Sequence, residues 1–147
     1  MARLEMSGLD SLIADLNSLG EQTANLQADI LTSMADVMEP ALRRSIVSEG
    51  LVRTGRLQLS IQRRKTKVRG VPAIRLGPMG EHHRYLPSSG QRGIVHAGYV
   101  GYVAEYGNKS RSIKGREWLQ KGVVRSQNEA FDAAEAVHDK YLKNNNL

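Results

Sequence analysis

Thr54-Gly55-Arg56-Leu57-Gln58-Leu59-Ser60-Ile61-Gln62-Arg63-Arg64-Lys65-Thr66-Lys67-Val68 is the stretch on which the fold turns. Before it, apolar residues recur every three or four positions. Within it the period drops to two: Leu57, Leu59 and Ile61 alternate with Gln58, Ser60 and Gln62, the pattern of a strand with one buried face. Thr54-Gly55 supplies the turn into that strand, glycine being the residue that takes tight-turn backbone without steric cost. The strand runs on into the basic tract Arg63, Arg64, Lys65, Lys67 and Arg69, which reads as a projecting ribbon or loop. A second strand, Val71 to Leu76, is bounded by Gly70 and by Gly77-Pro78, and the spacing suits an antiparallel hairpin.

Towards the N-terminus, Leu26, Ile30, Met34, Val37, Met38, Ala41, Leu42 and Ile46 predict a long helix from Thr23 to Ser48, roughly 39 Å at 1.5 Å per residue. Pro40 should bend it and Gly50 should stop it. A shorter helix precedes it, capped by Ser7 with Asp10, carrying Leu9, Leu12, Ile13, Leu16 and Leu19 on one face and ending at Gly20. Towards the C-terminus, residues 79–93 read as an exposed loop and Ile94 to Ala97 as a short third strand. Tyr99, Tyr102, Val103 and Tyr106 then predict a short helix ended by Gly107, and Asn108 to Gly115 a basic, flexible connector. The last helix spans Glu117 to Leu142, with Trp118, Leu119, Val123, Ala130, Ala134, Val137 and Tyr141 as its inner stripe, and Asn144 to Asn146 fray. The expectation is one α+β domain over residues 1–147: an N-terminal helix pair with one long helix, a small antiparallel sheet with a protruding basic hairpin, and a long C-terminal helix.

Composition narrows the functions open to such a domain. The chain has no cysteine, which excludes disulfides, thiolate zinc sites and thiol nucleophiles. The start, MARLEMSGLDSL, lacks a signal-peptide pattern and no run of 18 apolar residues follows, so neither secretion nor a membrane is expected. With a single Trp and a single Phe, the domain is expected to complete its buried surface against other subunits. The net charge of +6 is unevenly spread. Up to Glu49 acids outnumber bases, whereas between Glu49 and Glu81 there are eight Lys or Arg and no acid. A molecule with acidic and basic parts can bind another copy of itself or stacked rings of opposite charge.

The candidate sites each carry an ordinary and a functional reading. Thr54-Gly55 is a plain turn or a device that aims the basic hairpin at a neighbour. The basic cluster is a protein interface, a solvated loop or a phosphate grip, although no aromatic interleaves it as a single-strand binder would require. Glu105 is an exposed helix-end acid or the partner of an arginine such as Arg56. The tyrosines read as core residues with wet hydroxyls rather than a ligand cage. Glu81, His82, His83 and His96 invite a metal or acid-base reading, but adjacent loop histidines lack helical ligand spacing and no H-E-x-x-H is present. Ser88-Ser89-Gly90 lacks the G-x-S-x-G elbow, and no phosphate-cradling glycine loop occurs. No cofactor, no metal and no catalytic set are therefore expected.

Three segments, in this order, resemble the head-tail joining or tail-completion family of long-tailed double-stranded DNA bacteriophages. The first is Gly50 to Leu57 with Ser60 and Ile61, matching T-G-x-L-x-x-S-I after a long helix. The second is Arg75-Leu76-Gly77-Pro78, where the family has a V-G-P strand. The third is Ala97 to Gly107, ending Val103-Ala104-Glu105-Tyr106-Gly107, followed by Arg116-Glu117-Trp118-Leu119 where the family has a phrase such as R-P-F-L. The resemblance covers about residues 5–142. Asn108 replaces the usual threonine, Trp118 a phenylalanine, and the 79–93 loop is longer. The resemblance implies a structural subunit of a homo-oligomeric ring, commonly a hexamer, in the virion between the capsid connector or stopper and the tail terminator or tail tube, with genome DNA passing through its channel. It also implies assembly in the host cytoplasm. The residues assigned to its interfaces are Arg53, Thr54, Gly55, Arg56, Arg63, Arg64, Lys65, Lys67, Arg69, Tyr102, Glu105, Tyr106, Gly107 and Trp118. Two rivals remain: a small nucleic-acid-binding module with a footprint from Arg53 to Arg75, and a hydrolase using Glu81, His82 and His96.

Overall fold

The computed structural model describes residues 23–85, Gly90 and 92–145. The helix expected from Ser7 to Gly20 lies outside the described residues. Helix α1, Thr23–Ser48, is followed by a single turn of helix α2, Arg56–Leu59, then by strands β1, Ile61–Val68, and β2, Val71–Pro78. Strands β3, Glu81–Tyr85, and β4, Gly93–His96, lead into helix α3, Ala97–Tyr106. A small hairpin of β5, Gly107–Asn108, and β6, Ile113–Lys114, encloses one 3-10 turn, Lys109–Arg111, and helix α4, Trp118–Asn144, closes the order. The fold is α+β, with a long N-terminal helix, small antiparallel sheets and a long C-terminal helix. No helix among the described residues is long and apolar enough to cross a membrane.

α1 and α4 form the body, packed antiparallel. Leu26, Ile30, Met34 and Met38 of α1 meet Ala130 and Ala134 near the far end of α4, whereas Leu42 and Ile46 meet Trp118 at its start together with Leu57 and Ile61. The contact face of α4 differs from the expected stripe. Its buried residues are Trp118, Gly122, Ser126, Ala130 and Ala134, a row at four-residue steps that lets the two backbones approach closely. Leu119, Val123, Val137 and Tyr141 flank that row half-buried. The small members Gly122 and Ser126 carry no hydropathy signal, so periodicity alone passed over them. Ser126 stays apolar in effect because its hydroxyl donates to the carbonyl of Gly122. Helix α1 continues through Pro40, which sits on the exposed face where the acceptor it leaves unpaired can be hydrated.

Three sequence expectations are corrected. Leu57, Leu59 and Ile61 do not alternate along one strand: Leu57 and Ile61 are buried at 5% and 0% exposure, but Leu59 is 72% exposed and Arg56–Leu59 is helical. Over five residues a strand and a helix both return to the same side at i and i+4, so the pattern could not separate them. Segment 79–93 is not simply a loop, because Glu81–Tyr85 pairs with Gly93–His96 with a bulge between Glu81 and His83. Asn108 to Gly115 forms the β5–β6 hairpin, with the Asn108 side-chain oxygen accepting from the Ser110 hydroxyl and the Arg111 N–H.

Candidate interaction surfaces

The β1–β2 hairpin carries the basic tract, and its register sorts the charges by face. Arg63 lies opposite Leu76, Arg64 opposite Arg75, Lys65 opposite Ile74 and Lys67 opposite Pro72. Side chains of directly opposed residues share a face, and successive residues alternate. The face of Arg63, Lys65 and Lys67 is turned towards α1: the Arg63 guanidinium binds Glu39 at 2.7 Å and also Asp36. Glu39 accepts from Arg43 as well, at 2.9 Å, and Arg43 donates to the carbonyl of Ile61 at 2.8 Å. Burial pushes the Glu39 pKa up, but hydrogen bonds from Arg63 and Arg43 outweigh it and hold the carboxyl below its ordinary value. One carboxylate thus fastens the base of the hairpin to the long helix. Arg63, expected at an interface, is committed within the subunit.

The other face holds Arg64 and Arg75, both exposed. Neither makes an ion pair among the described residues, and the two lie directly across the ladder from each other. Lys65, Lys67 and Arg69 are likewise exposed, with Arg69 at the tip in left-handed backbone at φ 52°. Outside Ile61 and Leu76, no hairpin residue takes part in the two core clusters among the described residues.

At the other end of the T-G motif, Arg53 and Thr54 are exposed and Gly55 takes φ 71°, opening the turn into α2. Arg56 does not reach Glu105. Its guanidinium donates to the carbonyl of His82 at 3.1 Å, joining α2 to β3. Nearby, burial and the positive charges of His83 and Arg56 lower the His82 pKa. The Nδ1 atoms of His82 and His83 stand 2.8 Å apart, and Glu81 binds Arg84 at 3.0 Å. No group of three or more His, Asp or Glu residues that could hold a metal occurs among the described residues.

Glu105 is neither an exposed helix-end acid nor an arginine partner. It is 5% exposed, and its carboxylate accepts from the backbone N–H groups of Leu119 at 2.7 Å and Gln120 at 3.2 Å. These are first-turn amides of α4, which no intrahelical acceptor reaches. Glu117, in the cap position, has φ 53° and makes no side-chain cap, so the cap comes from α3. Trp118, at 1% exposure, donates its indole N–H to the Gly101 carbonyl, and the Ser45 hydroxyl donates to the Trp118 carbonyl. Gly107 turns the chain at φ 82° against the Ile113 and Gly115 backbones, where a side chain would sit 2.5 Å from the Ile113 carbonyl oxygen. Glu105 and Trp118, both buried, therefore tie α3 to α4 inside the subunit, and Gly107 turns the end of α3 into the β5–β6 hairpin.

The tyrosines lie the other way round from the core expectation. Tyr99, Tyr102 and Tyr106 are 50%, 51% and 61% exposed and fall within about 60° of one another around α3 at 100° per residue. Tyr102 and Tyr106 stack at 4.9 Å between ring centroids. Ile94 and Ile113, in elements that touch α3, are also exposed.

Sequence reasoning missed an acidic face. Between Ser126 and Asp139 the chain has Glu129, Asp132, Glu135 and Asp139 and no Lys or Arg. All four are exposed on α4. The signal was available in the sequence as a window of one sign, hidden by the basic total. Comparison of the chain with protein-family models, with curated proteins and with solved structures finds no match.

Proposed function

We propose that this chain is a structural, non-enzymatic subunit of a ring at the head-tail joint of a long-tailed phage, completing or attaching the tail to the capsid connector and leaving a channel for DNA. The observation that carries this reading is the aromatic face of α3. Three tyrosines, each half exposed or more, share one face of α3, and the elements that touch α3 expose Ile94 and Ile113. Exposed aromatic side chains gathered on one helix face are what a protein interface buries at its centre. Two further features support it. The T-G-x-L-x-x-S-I segment leads directly into an exposed basic hairpin, and the V-A-E-Y-G segment locks α3 onto α4, so that the tyrosine face is held by rigid elements.

Its partners on this reading are further copies of itself, as a hexamer, together with a connector or stopper on one side and a tail terminator or tail tube on the other. Virion and host cytoplasm follow as its locations. The exposed Arg64, Lys65, Lys67 and Arg69 favour a second reading, a small basic nucleic-acid-binding protein, because clustered cations grip phosphates irrespective of sequence.

Light scattering of the purified protein, with electron micrographs of the same sample, alone and mixed with connectors or tail tubes, tests the choice. A ring, or a monomer that becomes a ring on those partners, supports the joint. A monomer that ignores them and binds DNA with a steep salt dependence overturns it in favour of the second reading.

A further inference from the structure

We infer that the outward face of the β1–β2 hairpin, centred on Arg64 and Arg75, docks on the acidic face of α4 of a second copy of this chain. The inference rests on the ring reading above and names two surfaces that would meet in it. Arg64 and Arg75 are directly opposed, exposed and free of any carboxylate among the described residues. Like charges in that position repel across the ladder, and a carboxylate placed between two guanidiniums reverses the sign with charge-assisted hydrogen bonds. The chain itself carries the complementary surface. Glu129, Asp132, Glu135 and Asp139 fall within an arc of about 120° around α4 and along roughly 15 Å of its axis. On the outward face of the hairpin the charge is concentrated at the single rung Arg64–Arg75, which fits within the length of that acidic row, so the two surfaces match in sign. Glu129, Asp132 and Glu135 make no ion pair among the described residues, while Asp139 has one contact, with His138 at 3.7 Å.

The two surfaces do not satisfy each other within one subunit. Arg63 fixes the opposite hairpin face against α1 through Glu39 and Asp36, leaving Arg64 and Arg75 pointing away from the body. Surfaces that are complementary, sit on one chain and stay unpaired within it make a head-to-tail contact. Repeated around an axis whose rotation closes, as the ring reading requires, such a contact gives a ring.

Charge reversal in both directions tests it. One variant carries Arg64→Glu with Arg75→Glu; the other carries Glu129→Lys, Asp132→Lys and Glu135→Lys. All five sites are exposed, and circular dichroism confirms that each variant folds. Assembly is read by light scattering and micrographs under the conditions in which the unmodified chain forms rings. Each variant alone is expected to need more than about tenfold higher concentration to assemble, because every contact now opposes like charges. An equimolar mixture is expected to recover rings, since acidic hairpins then meet basic helices and unmodified hairpins meet unmodified helices in alternation. If both variants assemble as the unmodified chain does, or the mixture recovers nothing, the hairpin-to-helix contact is wrong while the ring reading stands. If the unmodified chain forms no ring even with connectors and tail tubes, the ring reading falls and takes this contact with it.

Discussion

At the scale of single residues, the side chain with most depending on it is Glu105. A helix N-terminus leaves its first amides without intrahelical acceptors and favours a negative charge nearby. The sequence around the start of α4, Gly115-Arg116-Glu117-Trp118, offers no Ser, Thr, Asp or Asn to take the cap position. That missing cap was the legible clue that an acceptor must come from elsewhere; which residue supplies it was not legible, because it lies fourteen positions upstream on another helix. Glu105→Ala is expected to cost about 2 kcal/mol, combining a lost cap with two partly buried amides left without their acceptor. Glu105→Gln keeps one acceptor and should cost about 1 kcal/mol. Urea unfolding midpoints at unchanged slope measure both. Equal, small losses in the two variants would mean that the amides find water and that the carboxylate is incidental. The tyrosines teach the opposite lesson: their spacing gave the helix and its face correctly, yet spacing cannot say whether a face looks inward or outward.

At the scale of elements, the helix pair and the hairpin clamp invite different tests. α1 and α4 approach most closely where Gly122 faces Leu42 and Ser45; a methyl group at Gly122 would stand 2.9 Å from a Leu42 methyl and 3.1 Å from the Ser45 Cβ. Alanine in a helix interior gains about 1 kcal/mol over glycine, but overpacking a tight site costs about 1–3 kcal/mol. Leu42 and Ser45 are 1% and 2% exposed, so shifting either to admit the methyl disturbs the packed core, and the cost is expected to win. Gly122→Ala should be destabilising by about 1 kcal/mol, read as a lower thermal midpoint; a higher midpoint would mean that the helices can part at no cost. The clamp of the hairpin answers to pH. Glu39 has a folded pKa below its ordinary 4.5, so the stability it contributes is present above that ordinary value and is lost as pH falls through the lowered folded one. Stability of the unmodified chain should therefore fall more steeply below about pH 4.5 than that of Glu39→Gln, the two curves converging in acid. Parallel curves would show that the Arg63 and Arg43 contacts contribute nothing to holding β1. Of these elements, the long helices and the hairpin pairing were readable from period and punctuation. The turn of helix at Arg56–Leu59 was not, since five residues cannot distinguish the two periods.

At the scale of the whole molecule, the question is whether two hydrophobic clusters make one cooperative unit. One lies around Leu26, Ile30, Met34 and Met38 with Ala130 and Ala134, the other around Leu42, Ile46, Leu57 and Ile61 with Trp118. Leu76 and Val123 pack against both, and α1 and α4 run through both, so loss of either cluster strips the other of a wall. Periodicity made each helix's apolar face legible. It could not show that the two faces join, because the junction involves Leu76 from the hairpin and a buried row whose middle members, Gly122 and Ser126, carry no hydropathy signal. The α+β class was readable in the same way, and so were the one-sign windows of acid on α4 and base on the hairpin, whereas which of those charges face outward emerged only when exposure and register were known. Trp118, the chain's single tryptophan, sits at 1% exposure in the second cluster, so its emission reports that cluster, while far-ultraviolet circular dichroism reports both long helices along their length. Bridged clusters should unfold together, with the two signals giving one coincident transition in denaturant, as an all-or-none domain does. If Trp118 becomes exposed well before the helical signal falls, Leu76 and Val123 do not couple the halves and the end of the subunit that carries α3 opens on its own. A test at the bridge separates coupling from coincidence. Leu76→Ala removes a side chain shared by both clusters and should lower the single midpoint, at a cost of about 2–3 kcal/mol because the site is only partly buried, without splitting the two signals. Splitting in that variant alone would identify Leu76 as the coupling residue, and no change in either signal would leave the helices themselves as the link.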